Sequence, residues 1–443
     1  MDMRYPASVL LVAWATVLAV MLAAWPRPGV AEDAPPTLAQ LILSAQRDNK
    51  DLAAARRGIE VSDARLVQAG LLPNPRINVS GASDFAFRGD GAYAVAMGIS
   101  QDVSISGRIA RQQDVGRVDV ALTRAEVLDA ERRLAGDVAA DVYRILIADR
   151  RRENIDAAIE FDRRLARTTR IRYQAAEVSQ LDVNAAALDL QRLLLDRARL
   201  QAQREALAIQ LNLRLGRAPA SVVDLSAIPL AVAPLPVSVD APTALRGRPD
   251  FAVAALQVDR ADAEVALARA RRWDDWSIGV GVQQDRQVVD GAPHQRNDRA
   301  LNFSVTVPLP LARRSRAEIA TALAGVGERR ARRDALQMEI ESEIAAARAA
   351  TAGPHAVLTG YQKDVLPVAK SNAALAARGY AQGLVPLIDV AQAQRQLSDL
   401  QNAYLGSLDD YLQSVVRLHV AVGDYPLLDR TSDADQTTQE AAP

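Results

Sequence analysis

One segment of this sequence occurs twice and predicts how the chain folds: Tyr173-Gln-Ala-Ala-Glu-Val-Ser-Gln-Leu-Asp-Val183. It returns 207 residues later as Tyr380-Ala-Gln-Gly-Leu-Val-Pro-Leu-Ile-Asp-Val390. Each copy lies between two long, charged, alanine-rich runs. Gly and Pro are turn residues and Ser is a helix N-cap residue, so each copy is predicted to be the tip of an antiparallel helical hairpin. The chain therefore contains two similar hairpins.

The helical runs that enter the two tips are long. Residues 107–172 contain no proline and carry an apolar stripe at three- and four-residue steps, so at 1.5 Å per residue they predict a rod of about 100 Å. A matching run covers residues 314–380, where Gly353-Pro354 and Pro367 are expected to kink or interrupt the helix. Residues 37–70 predict a further helix, before the first long run.

Two pairs of segments with alternating polarity precede the long helices. Their apolar residues share one parity, which predicts two-faced strands, and a polar loop is expected over residues 285–299. Such strands fit the wall of a membrane barrel, with one face toward lipid. The predicted lipid-facing residues are Ile77, Val79, Tyr93, Val95, Ile278, Val280, Phe303 and Val305.

The second half of the chain repeats the first. The helical segment that begins at Asp51 has a counterpart 199 residues later at Asp250, and a strand pair, a long helix and a tip follow in both halves. The predicted domains are a signal peptide (1–31), a first repeat (32–216), a Pro-rich linker (217–242), a second repeat (243–423) and a polar, disordered tail (424–443). An uncleaved inner-membrane anchor is the alternative for the first segment.

Composition excludes several classes of protein. The 443 residues contain no cysteine and carry a formal net charge of -1, which argues against disulfide scaffolds, Cys-based metal sites and nucleic-acid partners. No Gly-rich phosphate loop, nucleophile elbow or paired carboxylate motif predicts an enzyme. The three histidines, His294, His355 and His419, are isolated in sequence, so no metal site and no cofactor are expected.

The four predicted strands indicate that several chains assemble. They cannot close into a barrel by themselves, and lipid does not tolerate open sheet edges, whereas three chains supply twelve strands. The alternative is a soluble periplasmic sheet that caps a helical bundle. The match in helix length favours the assembly, because two shorter helices stacked end to end equal one long helix, as a tube of uniform length requires.

At these spacings the chain resembles the TolC family of outer-membrane efflux channels, from about Thr37 to Gly423. Three features carry the resemblance: the duplicated strand-strand-long-helix order, the Ala69-Gly-Leu-Leu-Pro-Asn-Pro75 entry to the first strand, and the doubled tip. Gln68 to Pro75 and Pro308-Leu-Pro-Leu311 are most similar to the CzcC branch, which serves heavy-metal resistance-nodulation-division pumps.

The resemblance implies a mainly α fold with a membrane β-barrel contribution. Three chains would form a twelve-stranded barrel in the outer membrane, continuous with a twelve-helix α-barrel through the periplasm. The partners would be a periplasmic adaptor (membrane fusion) protein and an inner-membrane resistance-nodulation-division pump, and the chain itself would be a passive exit duct. Drug efflux and type I protein secretion are alternatives for the same duct. A soluble periplasmic coiled coil or adaptor is the alternative from a different class.

The resemblance also assigns roles at the tips. Asp389 matches the family's carboxylate at the periplasmic gate, where Gln392 replaces a second acid; a ring of three carboxylates would attract cations. The alternative is that Asp389, like Asp182, only caps the helix that follows. The expected contacts with adaptor and pump are Glu177, Val178, Ser179, Gly383, Leu384, Val385 and Pro386.

Overall fold

The structure is a computed structural model that describes residues 35–86, 91–231, 241–288, 295–309 and 314–423. The predicted signal peptide (1–31) and the predicted tail (424–443) lie outside the described residues, as does part of the predicted linker (232–240). No helix in the described ranges has the length and apolar character of a membrane-spanning helix.

The first half of the chain forms four helices and two strands in its described part. In chain order these are α1 (Leu38–Asp48), α2 (Lys50–Ala69), β1 (Arg76–Ser83), β2 (Tyr93–Val103), α3 (Arg108–Gln174) and α4 (Gln180–Arg214). Apart from the division of the first helix into α1 and α2, the order is the predicted one, with a tip of five residues between α3 and α4.

The second half repeats this order. Its elements are α5 (Ala241–Gly247), α6 (Pro249–Ala270), β3 (Trp276–Val288), β4 (Gln295–Thr306), α7 (Arg314–Gly360), one π-helical turn (Tyr361–Val365), α8 (Leu366–Ala381) and α9 (Leu387–Val422). The short helix α5 lies within residues assigned to the end of the linker and the start of the second repeat.

The predicted single helix over residues 37–70 is wrong at Asn49. Its backbone is extended (φ -61°, ψ 129°), which ends α1, and its side chain accepts a hydrogen bond from the amide of Leu52 to begin α2. Asparagine is a favoured N-cap because its side-chain oxygen replaces a missing helical partner. The apolar periodicity continues across the break, so it does not reveal it.

The loop predicted over residues 285–299 is shorter than expected. Strand β3 continues to Val288 and β4 begins at Gln295, so residues at both ends of the predicted loop continue the ladder, with Asp285 opposite Asp298 and Val288 opposite Gln295. Backbone hydrogen bonds hold a ladder together whatever the side chains are. Polar composition therefore indicates a solvated stretch here and not the end of a strand.

The second long helix is interrupted near one of its prolines. Pro354 lies inside α7, while Pro367 stands in the first turn of α8, directly after the π-helical turn. Proline has no amide hydrogen and therefore removes one hydrogen bond from the helical ladder; at Pro367 the π-helical turn before it accommodates this loss. The expected interruption occurs at Pro367 and leaves the Gly353-Pro354 stretch helical.

Short helices meet end to end beside each long one. The amide group of Asn49 donates to the carbonyl of Arg214 at 2.9 Å, which joins the end of α4 to the start of α2. Gly216 turns the chain there with φ +66°, and a Cβ at this position would meet the Asp48 carbonyl oxygen at 2.1 Å. Together α4 (35 residues) and α2 (20 residues) run beside α3 (67 residues).

The second repeat builds the equivalent joint with a charged group. Arg248, which precedes α6, donates to the carbonyl of Ala421 near the end of α9 at 2.9 Å and pairs with Asp250 at 2.6 Å. Arg132 of α3 donates to the carbonyl of Val420 at 2.9 Å, so both arginines bind the C-terminal end of α9. A helix C-terminus carries partial negative charge, which favours this arrangement.

The largest hydrophobic core lies in the middle of the molecule, where α1, α3, α4 and α9 meet. Leu41, Val142, Leu211 and Tyr411 are buried together there. Residues of both repeats contribute, so this core holds the two halves in one body. Toward the tips the cores become small, and most of the helical surface stays exposed.

Candidate functional site

The first tip closes its own hydrogen bonds. Ser179 caps α4, and Asp182 completes a capping box: the amide of Ser179 donates to the Asp182 carboxylate at 2.9 Å, and the amide of Asp182 donates to the Ser179 hydroxyl at 3.2 Å. Glu177 accepts from Arg172 at 2.9 Å. The carboxylate of Asp182 is therefore used to begin its helix, while Glu177 and Ser179 are exposed and Val178 is half-buried.

The second tip leaves its carboxylate free. Pro386 stands at the N-cap position of α9 and has no amide hydrogen to donate, so the capping box of the first tip cannot form. Asp389 is exposed, and within the described residues its side chain makes no hydrogen bond or ion pair; Gln392, one turn later, is exposed as well. The equivalent acids of the two repeats thus have different surroundings.

Apolar groups are exposed at the same tip. Gly383 turns the chain with φ +74°, and Leu384 is 74% exposed. Val385 is half-buried and packs against the helix backbone, since a Cβ at Gly379 would lie 3.2 Å from its Cγ2. The second tip therefore presents Leu384 and Pro386 outward on a backbone that Val385 anchors.

A contact that the sequence does not reveal ties the two tips together. Tyr380 is only 3% exposed, and its hydroxyl lies 2.9 Å from the hydroxyl of Thr169 on α3. Arg172 donates to the carbonyl of Tyr380 at 3.1 Å and stacks over its ring at 4.8 Å. In the repeat Tyr173 corresponds to Tyr380 but is exposed, and Arg172 corresponds to Gly379. The replacement of Arg172 by Gly379 between the copies is a difference in sequence that relates to the contact.

The four strands form one antiparallel sheet in the order β1-β2-β3-β4. Its register places all eight predicted lipid-facing residues on the same face. Two rows cross the sheet on this face: Ile77, Ile99, Val280 and Phe303, then Val79, Met97, Val282 and Leu301. Most of these side chains are exposed in the single chain, and Phe303 is 77% exposed.

The opposite face of the sheet is polar or small. Asn78, Gly98, Gly281 and Asn302 form one row across it. Asn302 donates to Gln283 at 2.9 Å, and Asn78 donates to Ser100 at 2.8 Å. In the described part of the chain, β1 and β4 each pair on one side only, so the sheet has two open edges.

Within the described residues, the side chains that could bind a metal ion do not cluster. No group of three or more His, Asp or Glu there has a geometry that would hold a metal ion. His355 lies against the ring of Tyr411 with centroids 5.9 Å apart, and His294 lies outside the described residues.

Comparison with known proteins agrees with this architecture. Residues 241–424 match the family described as outer membrane efflux protein. The chain is 21% identical over 393 residues to the cobalt-zinc-cadmium resistance protein CzcC of Cupriavidus metallidurans, covering 88% of this chain and 90% of that protein.

Solved structures share the fold over most of the chain. CusC superposes with a TM-score of 0.70 at 17% identity, covering 96% of this chain and 99% of that one. The open state of the MtrE outer membrane channel of Neisseria gonorrhoeae gives 0.68 at 19% identity, covering 87% and 88%. The resemblance carried by the doubled tip and the duplicated strand pairs is confirmed: the second half of the chain matches the outer membrane efflux family, and the fold agrees with solved outer-membrane channels over most of the chain.

Proposed function

We propose that this protein is the outer-membrane exit duct of a tripartite efflux system and works as a homotrimer. The observation that carries the proposal is the sheet, which is apolar on one face and has two open edges in a single chain. Lipid does not tolerate unpaired backbone groups, so each edge needs a partner strand. Three copies supply a closed barrel of twelve strands.

The helices continue this barrel into the periplasm. Each repeat, 32–216 and 243–423, contributes one long helical column and one stacked column, which gives twelve columns in a trimer. At 1.5 Å per residue the 67 residues of α3 span about 100 Å. The joints at Asn49 and Arg248 bring the stacked columns close to the long ones in length, with helices of 35 and 20 residues beside one of 67 in the first repeat. A duct of nearly uniform wall height follows, and it needs no chemistry of its own.

The apolar face of the sheet is proposed to contact the lipid of the outer membrane. From Trp276 to Val282 the apolar positions of β3 span about 20 Å at 3.4 Å per residue, close to the apolar band of known barrels. The polar opposite face, with Asn78 and Asn302, would line the water-filled interior.

The tips are proposed to bind the adaptor and the inner-membrane pump of the resistance-nodulation-division class. Leu384 and Pro386 project from the second tip, and Glu177, Val178 and Ser179 form the first. Exposed apolar side chains at the end of a rigid hairpin favour a protein contact. Gly383 and Val385 fix the shape of the second tip.

Asp389 is proposed to form the gate at the periplasmic entrance. Three copies around a pore axis would place three carboxylates together, and no capping bond neutralises them. Gln392 adds no charge, and Asp182 is held in its capping box. The three Asp389 carboxylates would therefore form one ring of negative charge, which selects for cations.

The proposed cargo is divalent heavy-metal cations. Its support is the likeness to a cobalt-zinc-cadmium resistance protein over most of both chains. Drug efflux and type I protein secretion use the same kind of duct and are the competing cargoes.

Deletion of the gene tests this proposal. Intracellular zinc, cobalt and cadmium after a sublethal challenge should rise in the deletion strain and return to normal with the wild-type gene. A fluorescent drug, measured in the same strains, should not accumulate. Drug retention without a metal effect would contradict the metal cargo and leave the duct in place.

A further inference from the structure

A cavity of about 490 Å³ lies just above the tips, between α3, α4 and α9. All of its walls come from one chain, so it exists in the protomer itself. Its volume is in the range of small-molecule sites. Apolar side chains form much of its lining, among them Ile155, Ala158, Leu165, Leu193, Ile388 and Ala391.

A buried carboxylate without a partner lines this cavity. Asp162 of α3 is only 8% exposed, and within the described residues it makes no hydrogen bond or ion pair. It follows Ile155 and Ile159 at helical spacing, and so occupies a position in the apolar stripe of α3. A buried, unpaired charge is costly, so this site is poised to gain from a cation.

The charged groups around Asp162 leave the cavity negative. Carboxylates on its lining are Asp162, Asp182, Asp189, Asp196 and Asp399, and the two cations are Arg192 and Arg395. Arg395 of α9 lies 4.0 Å from Asp189 of α4, and Asp182 is held by its capping box. Burial and then the charge of Asp189 raise the pKa of Asp162 to about 6, against the opposing effect of Arg395.

We propose that this cavity binds a small organic cation, with a protonated amine at Asp162 and an apolar body along the walls. A bare metal ion fits less well, because no set of three ligands converges within the described residues. The occupant would bridge both hairpins, since α3 and α4 belong to the first and α9 to the second. The proposal does not depend on the identity of the cargo.

Titration with benzylamine tests the site, using the purified full-length protein in detergent and calorimetry as the readout. Benzylamine stays protonated between pH 5 and pH 7, whereas Asp162 gains a proton as the pH falls from 7 to 5. We expect saturable binding that is about tenfold weaker at pH 5 than at pH 7, because the amine must displace a proton from a group with a pKa of about 6. Benzyl alcohol, the neutral analogue, should not bind.

Two variants separate the site from general attraction. Asp162→Asn should abolish binding, and Glu339→Gln, which removes an exposed carboxylate of α7 that does not line the cavity, should change it by less than about twofold. Circular dichroism melts of both variants check that the fold is kept. Equal binding by Asp162→Asn, equal binding of benzyl alcohol, or affinity independent of pH would overturn the proposal.

Discussion

Two aspartates at the same place in the repeat differ through one neighbouring residue. Asp182 finds an amide and a hydroxyl on Ser179, while Asp389 faces Pro386, which has no amide to offer. We predict that Asp389→Asn reduces the preference of the channel for cations, since it removes the charge of the proposed ring. The reversal potential in a potassium chloride gradient across a planar bilayer measures this preference.

Asp182→Asn is the matched control for that variant. It weakens the capping box and should cost about 1 kcal/mol of stability at the start of α4. The reversal potential should stay close to that of the wild type. Equal shifts in both variants would show that Asp389 has no special position at the pore.

Tyr380 holds the second hairpin against the first. We predict that Tyr380→Phe, which removes the hydrogen bond to Thr169, weakens this contact by about 0.5–1.5 kcal/mol. The resting conductance of the channel should then rise, because the hairpin tips separate more easily. Tyr173→Phe changes the exposed counterpart and should have no effect. A wild-type conductance in Tyr380→Phe would show that this contact does not restrain the entrance.

At the scale of the elements, the joint between α4 and α2 depends on one glycine. Gly216→Ala introduces a Cβ at a positive φ and against the Asp48 carbonyl oxygen, so we predict a loss of more than about 1 kcal/mol in the free energy of unfolding. The control is Gly327→Ala inside α7, where a Cβ meets nothing within 4 Å and helix propensity favours alanine. The urea midpoint in detergent should fall for the first and hold or rise for the second. The opposite order would contradict the account of this joint.

The two faces of the sheet give a second prediction at this scale. Phe303→Arg places a charge on the proposed lipid face and should cost about 2–4 kcal/mol, so less assembled protein should reach the outer membrane. Asn302→Arg changes the preceding residue, which lies on the polar face, and this variant should assemble normally. Blotting of outer-membrane fractions measures both. Comparable losses in the two variants would contradict the assignment of the faces.

The elements show how far sequence periodicity predicts structure. Parity placed Ile77, Val280 and Phe303 on one face correctly, because the two-residue period of a strand is fixed by geometry. Periodicity does not predict the break at Asn49, because one bond that stabilises it is donated by the Asn49 side-chain amide to the carbonyl of Arg214, which is distant in sequence. Local patterns report local geometry, and contacts between distant residues decide where an element ends.

The same limit applies at the candidate sites. Ser179 was identified as a cap because capping is local, and the structure places it there. The Thr169–Tyr380 contact and the cavity at Asp162 join segments that are far apart in sequence, and neither was predicted. The sequence does contain one indication of the cavity, because Asp162 is a carboxylate within the apolar stripe of α3. A charged residue at a core position of a helix can indicate a buried site.

In the whole molecule, one chain forms only a segment of the proposed closed barrel. One chain supplies a four-stranded sheet with two open edges and helical columns of matched length, and only the middle of the molecule has a large core. Much apolar surface stays exposed along the strands and the tips. Lipid, further copies of the chain and the adaptor are the partners proposed to cover these surfaces.

Ion conductance across a planar lipid bilayer is the sharpest test of the trimeric duct. After addition of the purified full-length protein, we expect discrete current steps of one size, each from a single trimeric duct. A bilayer that stays sealed, with the protein remaining as monomers in the aqueous phase, would contradict this expectation.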